Sequence, residues 1–303
     1  MDLLYLIFGL LILVTGAEFV IRGSVSFGKK LNISLFTIGV VVVAGGTSLP
    51  ELASSINAVI NNHPDIALGA VVGSNIANLI LVMAATTIIL PISNITKNQI
   101  NQACINIGLG IILILMSFAY FNYIYGIFSI ILITLIMYLQ IKNGSLDIEE
   151  INKSEYSTYL SIFFIFIGII FLIYGSELFV TSAINLAYYF NVSEAVIGLS
   201  IVAFGTSLPE LVVGVISALK RKVDFALGNI LGSNIYNILG VLGISSFFGS
   251  FSMPETLAKQ DLFIMLSTTI LILVFMFFLK KIGRTFGVLG LLSYFIYIYY
   301  IFL

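Results

Sequence analysis

GTSLPE fills residues 46–51 of this chain and recurs without a change at residues 205–210. Each copy is followed by a second shared phrase, GSNIAN at residues 73–78 and GSNIYN at residues 232–237. Both phrases recur at the same offset of 159 positions, because 205 minus 46 equals 232 minus 73. A fixed offset of this kind indicates an internal repeat. The chain is therefore expected to consist of two copies of one structural unit.

The composition is typical of a protein embedded in a membrane. Of the 303 residues, 60% are hydrophobic and 9% are charged, and the mean hydropathy is +1.15. Soluble proteins carry about 25% charged residues, so this chain has too few charges to build a water-facing surface. A net charge of −1 argues against nucleic acid as a partner, because no basic surface is available to neutralise phosphates. The single cysteine, Cys104, excludes an intrachain disulfide bond.

Ten apolar segments are long enough to cross a bilayer, whose core of roughly 30 Å needs about 20 helical residues. Helices are expected because open strands cannot satisfy their backbone hydrogen bonds in lipid. The predicted fold class is therefore an all-α integral membrane protein with ten transmembrane helices. The predicted spans are residues 3–22, 34–60, 66–91, 102–120, 123–141, 159–185, 194–219, 225–249, 261–279 and 285–302.

A polar segment divides these spans into two groups of five. The sequence predicts a first repeat at residues 1–141, a connecting loop at 142–158 and a second repeat at 159–303. An odd number of spans in each repeat places the second copy upside down relative to the first. Inverted repeats are typical of secondary transporters, which bind their substrate near the bilayer midplane between the two copies.

The basic residues predict the orientation in the membrane, because lysine and arginine concentrate in cytoplasmic loops. With both termini outside the cytoplasm, Lys259 alone among the 13 lysines and arginines falls in an outer loop. We therefore expect a multi-pass protein of the cell (plasma or inner) membrane with both termini extracytoplasmic. The residues assigned to the cytoplasmic side are Arg22, Lys29, Lys30, Lys97, Lys142, Lys153, Lys220, Arg221, Lys222, Lys280, Lys281 and Arg284.

Glu51 and Glu210 end the two GTSLPE phrases near the middle of their predicted spans. A charge at that depth costs on the order of 2.5–3.5 kcal/mol on insertion scales. No lysine or arginine lies within the core of any predicted span, so no internal ion pair is available to offset that cost. A bound cation or a proton remains as the neutralising partner.

The residues around the glutamates supply oxygen donors. Pro50 and Pro209 have no N–H, so each leaves the carbonyl four residues earlier without its helical partner. Such a broken helix is tolerated in a membrane where it lines a cavity, and its carbonyls bind alkali cations. Hard oxygen donors suit Na⁺ or Ca²⁺ and disfavour zinc or copper. The side-chain candidates are Thr47, Ser48, Ser74 and Asn78 in the first repeat, and Thr206, Ser207, Ser233 and Asn237 in the second.

These paired phrases resemble the two α-repeats of the cation/calcium exchanger superfamily, and of its sodium/calcium exchangers in particular. The resemblance covers essentially the whole chain. It implies exchange of Ca²⁺ for Na⁺ by alternating access, with four cation sites built from the second, third, seventh and eighth spans. It also implies that the first and sixth spans slide across the remainder. By motif position, the implied ligands are Glu51, Asn78, Ala44, Thr47, Ser48 and Ser74, and Glu210, Asn237, Ala203, Thr206, Ser207 and Ser233.

Asn237 bears on ion selectivity. Some members of the superfamily carry aspartate at this position, and in potassium-dependent exchangers that acid is associated with the use of potassium. Because both repeats of this chain carry asparagine, the resemblance favours an exchanger that does not depend on potassium. Two carboxylates balance one Ca²⁺ or two Na⁺.

Other functions remain open at this stage. A proton/calcium antiporter is possible because glutamates exchange protons, although the GNAxE-type phrases of that branch are missing. A potassium-dependent exchanger is the second alternative. A cation channel is disfavoured, since two inverted copies do not form a ring around an axis normal to the membrane. An enzyme is disfavoured because no nucleophile and base pair is present, and neither a cofactor nor a protein partner is implied.

Glu18 and Glu177 also match across the repeats, but they lie nearer the ends of their spans. Snorkelling or helix capping is the expected role there, with gating as the alternative. Asp65 and Asp224 match as well, at predicted helix starts, where an acid is favoured by the helix dipole.

Overall fold

The computed structural model describes residues 2–144, 155–190, 203–255 and 257–301, and within them the chain is almost entirely helical. Its helices are α1 (Asp2–Leu31), α2 (Leu35–Thr47), α3 (Leu49–Ile60), α4 (Pro64–Ile89), α5 (Lys97–Met116), α6 (Tyr123–Asn143), α7 (Thr158–Tyr189), α8 (Ala203–Thr206), α9 (Leu208–Leu219), α10 (Val223–Ser245), α11 (Leu257–Leu279) and α12 (Arg284–Ile301).

Several of these helices contain a π-helical turn, in which the backbone hydrogen bonds widen to five residues. Turns of this kind are frequent at functional sites, because they shift side chains relative to a regular helix. Two of them contain Asn78 and Asn237, the last residues of the two GSNIxN phrases. The π-helical turns in the described residues are Gly39–Val43, Asn78–Val82, Tyr236–Val241, Leu257–Asp261 and Phe275–Leu279.

The number of spans agrees in part with the prediction of ten. Within the described residues, seven helices are long and apolar enough to cross a membrane, and the bent pair α2 and α3 makes an eighth if it is one span. The helix α9 (Leu208–Leu219) and the apolar segment Arg284–Tyr299 of α12 are shorter than the 18 residues taken as the minimum length of a span. The first part of the predicted seventh span, residues 194–202, lies outside the described residues. The chain is thus a helical membrane protein.

Helix ends differ from the predicted ends where polar residues continue a helix beyond its apolar part. The predicted first span ends at residue 22, whereas α1 continues to Leu31. The predicted fourth span begins at residue 102, whereas α5 begins at Lys97. Thr96 caps that helix, since its side chain accepts from the Gln99 N–H while the Gln99 side chain accepts from the Thr96 N–H. Hydropathy identifies the part of a helix that lies in lipid, whereas capping residues identify where the helix begins and ends.

In the described part of the chain, four strands of two residues each join the ends of the helices, and the prediction of helices alone did not include them. β1 (Ile92–Ser93) pairs with β4 (Lys281–Ile282), and β2 (Tyr120–Phe121) pairs with β3 (Phe251–Ser252), both antiparallel. Adding the offset of 159 to β1 gives residues 251–252, the position of β3. Each pairing therefore joins one sequence repeat to the other.

The helices α1 and α7 pack against each other in antiparallel fashion along a seam of small residues. A Cβ atom built at Gly16 would lie 2.9 Å from the carbonyl oxygen of Gly168, and one built at Gly9 would lie 3.1 Å from that of Gly175. Small residues let the two backbones approach closely. The seam residues are Gly9, Gly16 and Gly23 on α1, and Ser161, Gly168, Gly175 and Ser182 on α7.

The centre of the protein is formed by α4 and α10. Of their most apolar stretches, 78% and 89% of the residues are buried, against 33% for α1 and 28% for α7. The α10 helix packs against α9 and against α2, including the π-helical turn Gly39–Val43 of α2. The GSNIAN and GSNIYN phrases therefore lie on the most enclosed of these helices.

Candidate cation site

Two helix breaks of the same shape lie at the two GTSLPE phrases. Ser48 (φ −82°, ψ 5°) separates α2 from α3, and Ser207 (φ −85°, ψ 4°) separates α8 from α9. At the first break the two helices bend by about 40°. Pro50 and Pro209 lie in the first turn of the following helix, where a missing N–H costs least. Each break therefore starts a new helix inside the protein.

Glu51 and Glu210 lie in the first turns of α3 and α9, where the helix dipole favours a negative charge. Both side chains are fully enclosed, with 1% and 0% exposure. Glu51 Oε2 and both carboxylate oxygens of Glu210 have no hydrogen-bond partner. The two carboxylates are close enough to repel each other. A buried carboxylate in this situation needs a cation or a proton.

No basic side chain neutralises this pair in the part of the chain that the structure describes. The ion pairs found there are Glu18 with Arg22, Glu18 with Lys220 and Glu255 with Lys259. Nor do three acidic, histidine or cysteine side chains gather at one point within those residues. A cation bound between Glu51 and Glu210 would therefore complete its shell with hydroxyl, amide and carbonyl oxygens.

The hydroxyl groups of the two phrases meet across the repeats. Thr47 Oγ1 lies 3.3 Å from Ser233 Oγ, and Ser74 Oγ lies 3.4 Å from Thr206 Oγ1. Adding 159 to Thr47 gives Thr206, and subtracting 159 from Ser233 gives Ser74, so the two pairs are equivalent with the repeats exchanged. The Thr47 and Ser233 hydroxyls lie beside the Glu210 carboxylate.

Ser48, Ser207 and Ala44 complete the oxygen donors of the breaks. Ser48 Oγ and Ser207 Oγ are buried without hydrogen-bond partners. The Ala44 carbonyl oxygen accepts from the Ser48 N–H at 3.1 Å and from the Thr47 hydroxyl at 3.3 Å, so it is already engaged. Ala203 is the first residue of α8, and its surroundings lie outside what the structure describes.

The amide groups of Asn78 and Asn237 are fully buried but differ in their partners. Asn78 donates from Nδ2 to Asn234 Oδ1 at 3.0 Å, and its Oδ1 has no partner. Neither the nitrogen nor the oxygen of the Asn237 side chain has a partner. Unpartnered buried amide oxygens are costly in a protein, and they are suitable ligands for Na⁺ or Ca²⁺.

Three further buried asparagines lie next to this centre and were not among the predicted site residues. Asn75 and Asn234 stand at the third position of the two GSNIxN phrases, so their identity in both repeats was a signal available in the sequence. Asn229 Oδ1 lies 3.3 Å from the Thr47 hydroxyl oxygen. Its counterpart in the first repeat is Ala70, so the duplication gave no indication of it.

Most of the other acidic residues that recur in both repeats form ion pairs or hydrogen bonds, or are exposed. Glu18 forms its ion pairs with Arg22 and, at 2.7 Å, with Lys220 Nζ, and so joins α1 to the end of α9. Glu177 is exposed. Asp224 accepts from Gln99 Nε2 at 2.8 Å. Asp224 lies in the first turn of α10, as expected. Glu18 instead lies inside α1, which continues to Leu31, and its ion pair with Lys220 joins two helices.

Known proteins resemble this chain over nearly its whole length. A family model described as sodium/calcium exchanger protein matches residues 1–142 and 160–303. The chain is 36% identical to an uncharacterized membrane protein of Methanocaldococcus jannaschii, over 96% of this chain and 95% of the relative. It is 30% identical to the sodium/calcium exchanger MaX1 of Methanosarcina acetivorans, over 97% and 96% of the two chains.

A solved structure has the same fold. It is that of the sodium-calcium exchanger NCX_Mj soaked with zero Na⁺ and Ca²⁺, with a TM-score of 0.87, 33% identity and coverage of 97% of each chain. The family resemblance carried by the repeated phrases is thereby confirmed, and the match extends over both repeats. This chain belongs to the sodium/calcium exchanger protein family.

Proposed function

We propose that this protein is a secondary antiporter that exchanges Ca²⁺ for Na⁺ across the membrane. The observation that carries the proposal is the pair of enclosed glutamates, Glu51 and Glu210, which repel each other and have three carboxylate oxygens without a protein partner. Family membership and the similarity to NCX_Mj support the same function.

Charge balance gives the physical basis of exchange. Two carboxylates neutralise one Ca²⁺ or two Na⁺, so the two ions compete for the same oxygens. A third Na⁺ would leave a net positive charge on the site and would make transport sensitive to the membrane potential. The ions are substrates, and no cofactor and no enzymatic step is part of the proposal.

The ligands that we propose come from both repeats. The carboxylates of Glu51 and Glu210 provide the charge, and hydroxyl, amide and carbonyl oxygens complete the coordination. The unpartnered oxygens of Ser48, Ser207 and Asn78 support this assignment. The full proposed set is Glu51, Asn78, Ala44, Thr47, Ser48 and Ser74 with Glu210, Asn237, Ala203, Thr206, Ser207 and Ser233.

The proposed architecture is ten transmembrane helices in two inverted five-helix repeats, residues 1–141 and 159–303, joined by a cytoplasmic loop at 142–158. Two features support this symmetry: the hydroxyl partners exchange at an offset of 159, and each strand pairs with a strand of the other repeat. The antiparallel packing of α1 on α7 is also expected from inverted copies. We place the protein in the cell membrane with both termini extracytoplasmic.

Alternating access requires the two repeats to differ in conformation at any one time, and α3 and α9 do differ. Leu49 on α3 is 43% exposed, whereas its counterpart Leu208 on α9 is 4% exposed. Ser54 is exposed, and its counterpart Val213 is fully buried. The α1 helix covers α9, while in the described residues α7 does not cover α3 to a comparable extent.

The uncovered side of α3 leads to a polar cavity. This cavity of about 560 Å³ begins at Ser54, one helical turn beyond Glu51, and is lined by Ser54, Asn57, Ala58, Asn61, His63 and Ile66. The topology assigns this end of α3 to the extracytoplasmic side and the covered end of α9, near Lys220, to the cytoplasmic side. We infer that this conformation is more open on the extracytoplasmic side, while the two carboxylates themselves remain enclosed.

Ion-gradient-controlled uptake tests the function. Purified protein is placed in lipid vesicles loaded with Na⁺, and uptake of radioactive Ca²⁺ is followed while external Na⁺, K⁺ and pH are varied separately. Uptake that requires the Na⁺ gradient supports the proposal. Uptake driven by a pH gradient alone identifies a proton/calcium antiporter, and a requirement for K⁺ identifies a potassium-dependent exchanger. Uptake that ignores every counter-ion gradient identifies a channel.

A further inference from the structure

Asn234 forms hydrogen bonds that connect the two repeats beside the cation site. Its Oδ1 accepts from Asn78 Nδ2 at 3.0 Å, and its Nδ2 donates to the Asn75 carbonyl oxygen at 3.4 Å. All three residues are buried, with at most 2% exposure. The second bond fixes which end of the Asn234 amide faces Asn78, because only the nitrogen of that amide donates to a carbonyl.

The consequence falls on Asn78. A carboxamide carries an oxygen that binds cations and an NH₂ group that repels them, so its orientation determines whether it serves as a ligand. Asn234 engages the nitrogen of Asn78 and leaves the buried oxygen without a protein partner. The oxygen is thus the atom of this side chain that remains available to an ion.

The equivalent residues of the other repeat do not form the same contact, although the sequence phrase is the same. By the offset of 159, Asn75 corresponds to Asn234 and Asn78 corresponds to Asn237. Asn75 Nδ2 instead points to the Met265 sulfur at 3.7 Å, and Asn75 Oδ1 has no partner. Neither the oxygen nor the nitrogen of the Asn237 amide has a hydrogen-bond partner. A shared requirement for packing would not produce this difference.

We propose that Asn234 is a positioning residue of the exchanger, which orients the Asn78 amide so that its oxygen faces the transported cation. Asn234 itself does not bind the ion. This inference rests on the proposed function, since it assigns Asn78 to the cation site. In the conformation described here, Asn75 has no such effect on Asn237, and Asn75 is therefore the matched control.

Ca²⁺ affinity is the quantity to measure, both as the Ca²⁺ concentration that half-maximally raises the thermal unfolding temperature and as the KM for Ca²⁺ uptake. Residues that orient the ligands of a metal typically change affinity by about 10–100-fold. We expect Asn234→Ala to weaken Ca²⁺ binding by about 10-fold at the lower end of that range, with KM changed more than the maximal rate. Asn75→Ala is expected to leave the affinity close to that of the natural protein.

Two further variants separate positioning from simple packing. Asn234→Asp keeps the acceptor for Asn78, and we expect it to bind Ca²⁺ at least as tightly as the natural protein. In an Asn78→Asp background both terminal atoms of the residue 78 side chain are oxygen, so its orientation no longer matters. Asn234→Ala should then no longer weaken Ca²⁺ binding. A double-mutant cycle measures this coupling between the two positions.

Three outcomes would overturn the proposal. The first is an equal loss of Ca²⁺ affinity in Asn234→Ala and Asn75→Ala. The second is weaker Ca²⁺ binding by Asn234→Asp. The third is a loss of affinity from Asn234→Ala that is undiminished in the Asn78→Asp background. A natural protein that neither takes up Ca²⁺ nor is stabilised by it would overturn the proposed function itself. That result is distinguished from the other three because it involves no substitution.

Discussion

Thr47 Oγ1 and Ser233 Oγ lie 3.3 Å apart, although they belong to different repeats and are 186 positions apart in the chain. The Ser74 and Thr206 hydroxyls form the same contact with the repeats exchanged. The phrases of each repeat therefore contact those of the other repeat, as expected if both repeats build the proposed cation site. Many side chains of one repeat have a counterpart in the other. A substitution can therefore change one member of such a pair and leave the other unchanged.

Replacement of either buried glutamate should abolish exchange without unfolding the protein. Glu51→Gln or Glu210→Gln removes one of two charges that neutralise the ion, and loss of one partner of a buried charge pair costs about 3–5 kcal/mol. We expect coupled Ca²⁺ uptake to fall by at least about 100-fold, since each 1.4 kcal/mol is a factor of ten. Stabilisation by Ca²⁺ should be lost, while stability without Ca²⁺ should be retained because the repulsion is removed.

The matched control is Glu177→Gln, the same change at an exposed acid of α7. It should leave uptake unchanged. Near-normal exchange in both Glu51→Gln and Glu210→Gln would remove these residues from the site.

Asn237→Asp should change ion preference. Neither atom of the Asn237 amide has a protein partner, so the substitution breaks no hydrogen bond and adds a third carboxylate. We expect tighter cation binding and a changed ratio of Na⁺ to Ca²⁺ affinity, and uptake assays with and without K⁺ would detect any potassium dependence. Unchanged affinity and selectivity would indicate that Asn237 serves packing alone.

The small-residue seam between α1 and α7 should tolerate no added side chain at its centre. In Gly16→Ala the new Cβ would lie 2.9 Å from the Gly168 carbonyl oxygen and from the Leu172 nitrogen, both of which are backbone atoms that cannot move aside. Overpacking of this kind costs about 1–3 kcal/mol, so the unfolding temperature and the exchange rate should fall.

Gly108→Ala is the control for this change, since a Cβ at Gly108 on α5 meets nothing within 4 Å. It should be neutral or stabilise the helix by up to about 1 kcal/mol. Equal effects of the two substitutions would contradict close packing of α1 on α7.

Thiol labelling should reveal the difference between the repeats. Cys104 is the single cysteine of the chain and is exposed, so it is first replaced by serine. We expect a membrane-impermeant maleimide to modify Ser54→Cys readily and Val213→Cys very slowly, because Ser54 is exposed and Val213 is fully buried. The reagent should reach Ser54→Cys from the extracytoplasmic side.

Equal labelling of the two positions, or labelling of Ser54→Cys from the cytoplasmic side alone, would contradict the proposed conformation. Adding Glu18→Gln should increase labelling of Val213→Cys, because it removes the ion pair between α1 and Lys220. The increase should be small, since a partly exposed ion pair contributes about 0.2–1 kcal/mol.

Much of this protein was predictable from sequence because its strongest signals are local. Duplicated phrases identify the repeat and the family, and hydropathy identifies the helices. Pro50 and Pro209 predict the helix breaks, since the missing N–H acts within one helical turn. Asn229 was not predictable in this way, because its counterpart Ala70 carries no polar group.

The sequence by itself determined that two buried acids, with no basic residue within a span, stand in matching positions of two similar halves. The tertiary structure alone decided which equivalent residues behave differently. Asn234 holds Asn78 while Asn75 leaves Asn237 free, and Val213 is covered while Ser54 is open. The physical reason is that a repeated sequence specifies the same local chemistry twice, whereas contacts depend on how α1 and α7 pack on the remainder, and that packing need not be symmetric.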